Sequence, residues 1–344
     1  MNNIVVILSL IYLIFQNSPD KVITQKTKEY AIHLDENGSI HIAYTLDYNL
    51  YYTTSANDGN TFTQPVLIDK GINYKYSSPA ISTNQEHVLI AAAYNKNALS
   101  WRKRNKENEW EKSMVINDLD GIVTEQLISI AGGRNDLFYA AWIDERQKGS
   151  FALAGTYTID GGMTWAKSKQ LYHSPDGSIC PCCRPCVSVW QDSVYLMFRN
   201  DVNGNRNMYL LFSDDEGITF NQPLKLGLGT WQINGCPVDG GAITIDTKGN
   251  VTTAWKRSNE VFTATPGKPE QKIGTGRMPK IATAKDGNYL TWQYDGEIIV
   301  QTPDKKTINL GTGVKPEIIA SSNSTNVYAF WMDSTDRLTM RKIK

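Results

Sequence analysis

The chain has little of what most chemistry relies on. Its 344 residues include only 4 His and 5 Cys, and the cysteines fall in two places. There is no charge surplus: 35 basic side chains face 35 acidic ones, which argues against nucleic acid as a partner, since phosphate binding needs a basic excess. No Arg precedes Arg102, and no G-x-S-x-G elbow, H-E-x-x-H helix, phosphate-binding loop or dinucleotide fingerprint occurs. His33, His41, His87 and His173 show no metal or triad spacing and read as ordinary surface or strand residues. Long apolar runs are also missing, with one exception.

That exception is residues 4–15 (IVVILSLIYLIF). The run falls short of the roughly 20 residues that a membrane helix needs, and it suits the apolar region of a secretory signal. No Lys or Arg precedes it and no clear small-x-small cleavage site follows. Residues 1–18 are therefore expected to be a signal peptide or an uncleaved anchor, with a buried strand as the alternative. Residues 19–344 would form one domain outside the cytoplasm, periplasmic or secreted, touching a membrane only through that segment. A chain of this length buries enough core to fold without disulfide staples.

What the chain does have is aromatic side chains and glycine: 9 Trp, 17 Tyr, 9 Phe and 26 Gly, a balance that leans to β-structure with many turns. One unit recurs, a pair of alternating strands around a turn, at residues 31–44, 79–94, 127–142, 186–198, 242–255, 280–292 and 317–331. The units start roughly 35 to 60 residues apart, the range of propeller blades. A four-stranded blade cannot bury both faces alone, whereas radial stacking buries them. The last unit has room for three strands, and Lys21-Val22-Ile23-Thr24 would supply the fourth and close the ring. The expected fold is an all-β propeller of seven blades, with six as the alternative. Trp101 to Trp110 reads as a divergent hairpin turn.

Three units carry a further signature: Ser55-Ala56-Asn57-Asp58-Gly59-Asn60-Thr61-Phe62, Thr158-Ile159-Asp160-Gly161-Gly162-Met163-Thr164-Trp165 and Ser213-Asp214-Asp215-Glu216-Gly217-Ile218-Thr219-Phe220. They follow S/T-x-D-x-G-x-T-F/W, the first and third being read with one extra residue between Ser and Asp. Asx side chains accept backbone N–H bonds and Gly supplies positive φ, which fixes a turn. The motif resembles the Asp-box, or BNR repeat, of the sialidase (neuraminidase) superfamily. That resemblance implies a propeller and a structural role for these turns. It also implies, for an active member, an arginine triad, a Tyr–Glu pair and an Asp acid. The family's early Phe-Arg-Ile-Pro motif is missing here. Arg146, Arg199 and Arg257, with Asp144, Glu145 and Asp201 beside the first two, are the catalytic candidates, and solvated loop charge is the plainer reading of each.

The cysteines lie in Cys180-Pro181-Cys182-Cys183-Arg184-Pro185-Cys186 and in Gly235-Cys236-Pro237. Both segments lead into the first strand of a unit. In a propeller such loops share a face with the loops after the second strands, so the thiols should meet Arg184, Arg199 and Arg257, the candidate ligand-binding residues, and Asp201. The Cys-x-Cys-Cys and Gly-Cys-Pro pair resembles loops of a bacterial subgroup of sialidase-like propellers, a likeness that carries no activity with it. Three readings stay open. The cysteines could form structural disulfides, leaving one thiol over. Cys180, Cys182, Cys183, Cys186 and Cys236 could hold Cu(I) or Zn(II), with Cys183-x-x-Cys186 as a tetrahedral corner and Met278 as a thioether. They could instead perform thiol chemistry beside Arg184. The leading expectation is a Cys-rich site for a soft metal ion or small ligand, without sialidase activity. The alternatives are an exo-α-sialidase-type hydrolase and a scaffold for protein or glycan partners.

Overall fold

Alternating apolar residues bounded by Gly, Asn and Asp turns build strands throughout the computed structural model, which describes residues 20–70, 78–94, 97–104, 109–117 and 123–344. The apolar run at residues 4–15 lies outside these. Among the described residues there is no helix. Five antiparallel sheets have four strands each, in sequence order. The first is Tyr30–Leu34, Ile40–Leu46, Asn49–Ser55 and Val66–Asp69; the second is Ala80–Thr83, His87–Tyr94, Asn97–Arg104 and Met114–Val115. The third is Val123–Gly132, Phe138–Gln147, Ser150–Thr158 and Lys169–His173. The fourth is Cys186–Trp190, Ser193–Arg199, Met208–Ser213 and Leu224–Lys225. The fifth is Ala242–Ile245, Val251–Arg257, Glu260–Ala264 and Gln271–Thr275.

A sixth sheet has seven strands. It begins with Arg277–Ala284, Gly287–Tyr294 and Glu297–Gln301, continues through the long Thr307–Ala320, and adds Val327–Asp333, Leu338–Lys342 and Lys21–Thr24. The first part of Thr307–Ala320 pairs with Glu297–Gln301 and its second part with Val327–Asp333. Lys21–Thr24 pairs with the C-terminal strand, Lys21 opposite Met340 and Val22 opposite Thr339. The first strands of successive sheets are neighbours, and Thr307–Ala320 lies against both Arg277–Ala284 and Tyr30–Leu34, so the cycle returns to its start.

The core sits between sheets. Trp142, Phe138 and Leu89 share one cluster across the second and third sheets, and Tyr139, Leu196 and Phe198 another across the third and fourth. Tyr44 and Ile42 of the first sheet pack on Phe330 and Met340 of the sixth. Each sheet thus buries its faces against two neighbours.

The three signature turns share one hydrogen-bond pattern, and it corrects the sequence reading. In the third, Ser213 Oγ donates to Asp215 Oδ1 (2.7 Å), while Gly217 N donates to Ser213 Oγ (2.9 Å) and Thr219 N to Asp215 Oδ1 (2.9 Å). Thr158, Asp160, Gly162 and Thr164 repeat this. So do Ser55, Asn57, Gly59 and Thr61, with Asn57 in the Asp position. No copy has an extra residue. Phe62, Trp165 and Phe220 pack on the clusters beneath. A second correction concerns Trp101, which lies in the strand Asn97–Arg104, 2% exposed, rather than in a turn. Two histidines are also more embedded than their spacing suggested. His41 bonds Tyr52 and Asp35, His87 bonds Asp136, and both rings are buried.

Candidate functional site

Two loops that lead into first strands meet between the fourth and fifth sheets. Residues 180–185 leave the third sheet's last loop, where Ile179 bridges Asn200, and Cys180 N donates to Arg199 O (3.0 Å). Pro181 and Pro185 bring no N–H, which favours a turn over a strand here. The second loop closes on the first through Gly240. A Cβ at that position would come within 2.6 Å of the Arg184 carbonyl oxygen, so only glycine lets the two backbones lie this close.

The result is a sulfur cluster. Cys180 Sγ lies 3.6 Å from Cys182 Sγ and 3.5 Å from Cys183 Sγ, and Cys182 Sγ lies 4.0 Å from Cys183 Sγ. Cys182 is disulfide-bonded to Cys236 with a Cα–Cα distance of 6.3 Å, which ties the two loops together. Cys180 and Cys183 are free thiols, 1% and 2% exposed, whereas Cys236 is open to solvent. One bridge is therefore present, and three thiols are free. Cys186 does not join the group. It already belongs to the strand Cys186–Trp190, opposite Met197, and packs on the cluster between the fourth and fifth sheets. The Cys183-x-x-Cys186 spacing makes no shared corner.

Electrostatics separate the two free thiols. The Cys183 thiol, hydrogen-bonded to Cys180, lowers Cys180 to about 6; the Cys182 N–H and the Arg206 and Arg199 charges assist, and burial opposes. The same hydrogen bond, then burial, pushes Cys183 up. Burial also raises Cys186, despite nearby Lys280.

The other candidate residues are spread out. Arg199 is 1% exposed and donates to three backbone carbonyls, those of Asp239, Arg206 and Lys256. It borders the thiols but acts as a clamp between sheets. Arg184 donates to the carbonyls of Ser78 and Pro79, and its charge also bears on the Cys186 thiol, which it lowers against the burial that raises it. Arg257 pairs with Glu270 and lies 4.0 Å from the Phe262 ring centroid. Arg146 bonds the fully buried Asp144, and Asp201 pairs with Arg206. Met278 reaches the site through its backbone N–H, which donates to Asp239 Oδ2 (2.7 Å).

Sequence reasoning missed Asp239 and Arg206. Asp239 is 4% exposed, its N–H donates to Cys183 Sγ (3.5 Å), and its Oδ1 is buried without a hydrogen-bond partner. Burial raises its carboxyl, against the Met278 N–H and the Arg199 charge. Its place in Cys236-Pro237-Val238-Asp239-Gly240-Gly241 was the available signal. Beside the site, Lys256, Asn259, Arg277, Gln293 and Tyr294 line a cleft of about 670 Å³.

No family model and no curated protein matches the sequence. Solved structures do match in shape. Virginiamycin B lyase from Staphylococcus aureus superposes with a TM-score of 0.58 at 14% identity, over 95% of this chain and 99% of the lyase. A Trypanosoma rangeli sialidase gives 0.55 at 13% identity, over 94% of this chain and 55% of the sialidase. The Hadza microbial sialidase Hz136 gives 0.54 at 12%, over 93% of this chain and 66% of that enzyme. At these identities the likeness shows the fold, a sialidase-like β-propeller.

Proposed function

We propose that this protein is an extracytoplasmic propeller whose rim presents a sulfur site for a soft metal ion, Cu(I) or Zn(II), and that it is not a sialidase. The observation that carries the reading is three sulfurs, those of Cys180, Cys182 and Cys183, all within 4.8 Å of one another. Thiolates favour these ions. Cys180 and Cys183 would bind directly, and Cys182 would join once its bond to Cys236 opens. Export is supported by the apolar run at residues 4–15 and by a disulfide, which persists in oxidising compartments.

The absence of sialidase activity is supported by the arginines. Arg146, Arg199 and Arg257 are each engaged by protein partners, so these three do not stand together as a free triad for a substrate acid. We also read the three signature turns as Asp-boxes. The seven-stranded sheet reads as two blades continuous through Thr307–Ala320, which makes seven blades in all.

The test uses the full chain, reduced and loaded with Cu(I) or Zn(II) in separate samples. About one ion per chain should be retained after desalting, and the Cys180→Ser/Cys183→Ser double variant should retain none. Wild-type protein that keeps no metal with its thiols free would overturn the metal reading. A fluorogenic sialoside should show no turnover, and measurable turnover would reverse that part of the reading.

A further inference from the structure

We propose that the sulfur cluster carries out intramolecular dithiol–disulfide exchange, moving the oxidised bond between an outer pair, Cys182–Cys236, and an inner pair, Cys180–Cys183. This does not rest on the metal reading. It rests on contact and on access. Cys180 Sγ lies 3.6 Å from one sulfur of the existing bond and 3.5 Å from the thiol that would replace it as partner. Cys180-Pro181-Cys182-Cys183 is a Cys-x-x-Cys spacing, which lets two sulfurs close on each other within one turn. The inner sulfurs are almost wholly buried, whereas Cys236 is exposed. A solvent partner can therefore meet the outer pair only, and the inner pair is a shielded store of two electrons.

The exchange balances without an added oxidant or reductant. Cys180, as thiolate, attacks Cys182 Sγ. The Cys180–Cys182 bond forms, the Cys182–Cys236 bond breaks, and its electron pair leaves on Cys236, which takes up a proton from water. Cys183, as thiolate, then attacks Cys180 Sγ. The Cys180–Cys183 bond forms and Cys182 leaves, to be protonated in turn. Two protons are lost from the inner pair and two gained by the outer pair, which now presents Cys236 as a thiol at the surface. In that form it can reduce an accessible disulfide: Cys236 attacks it, and Cys182 resolves the mixed disulfide, restoring Cys182–Cys236 and releasing the partner as a dithiol.

The test uses the full chain brought to one disulfide and three thiols per chain by thiol titration, kept under an inert atmosphere and stripped of metal with a chelator, so that a failure of metal binding leaves its outcome unaffected. A maleimide is added without reductant, and the protein is quenched in acid and mapped by mass spectrometry. Wild-type protein should acquire label on Cys236 together with a Cys180–Cys182 or Cys180–Cys183 bond, because alkylation drains the exchanged form. Cys180→Ser should lower Cys236 labelling at least tenfold. Cys183→Ser should keep the labelling and stop at Cys180–Cys182. Labelling of Cys236 that persists in Cys180→Ser sinks the proposal. So does a wild-type map showing only Cys182–Cys236 after prolonged exposure, a result that needs no variant to fold.

Discussion

Arg257 and Glu270 show how a residue's chemistry depends on its company. Burial works against a charge on Glu270, but the N–H groups of Leu228 and Gly229 and the Arg257 guanidinium outweigh it and hold the carboxyl at about 2. The ordinary value for Glu is near 4.3. A depressed carboxyl stabilises the fold above its unfolded pKa, and that contribution disappears as pH falls through its folded value. Urea midpoints should therefore hold down to about pH 4.5 as far as this group is concerned, then drop toward pH 2. Glu270→Gln should be less stable at pH 7, with the gap to wild type closing toward pH 2. A gap independent of pH would mean that the carboxylate charge does not matter here. Arg257 was a candidate ligand residue, and its type and position in the chain were legible. Its partner Glu270, thirteen residues on in the loop before Gln271–Thr275, was not, because only the folded sheet brings the end of Val251–Arg257 beside that loop.

At the scale of the element, the turns and lead-in loops decide what the sheets can hold. Gly217 has φ +84°, and a Cβ there would fall 2.1 Å from the ring of Tyr139, a core residue of the neighbouring sheet. Gly38 has φ +83° but faces open space. Gly38→Ala should cost only the backbone strain, about 1 kcal/mol. Gly217→Ala should cost about 2 kcal/mol more, because Tyr139 must move. Chemical denaturation of both variants measures the difference, and equal costs would deny the close packing. Such turns were legible as motifs because their hydrogen bonds are local, spanning four residues. Asn57 and Asp215 each lie two residues before the Gly of their copy, as Asp160 does, so the spacing itself gives their place and the hydrogen bonds agree with it. The lead-in loops were legible as a pair of sulfur-bearing segments. Which sulfurs bond, and that Cys186 turns into the core, followed from the meeting of Gly240 with Arg184, which no local spacing encodes.

For the whole molecule the decisive contact is the closure. Lys21–Thr24 covers the edge of Leu338–Lys342, and Asp20 pairs with Arg341. Without that strand the C-terminal strand would be an edge with unpaired backbone groups, an invitation to association. A chain beginning at residue 26 should melt several degrees below one beginning at residue 20, and it should associate with rising concentration on a sizing column. Unchanged melting would show that the ring does not depend on this strand.

Alternation, aromatic content and repeated turns are properties of neighbouring residues, and they determined by themselves that the chain would be a stack of antiparallel hairpins. They also placed Cys180, Cys182, Cys183 and Cys236 on loops of one kind. Tertiary structure alone decided which of these sulfurs touch, which arginines are consumed as clamps, and that Asp239 is buried beside them. Those outcomes depend on the packing of one sheet against the next. Residues thirty to sixty positions apart share no local signal, and their distances are set only when the ring closes.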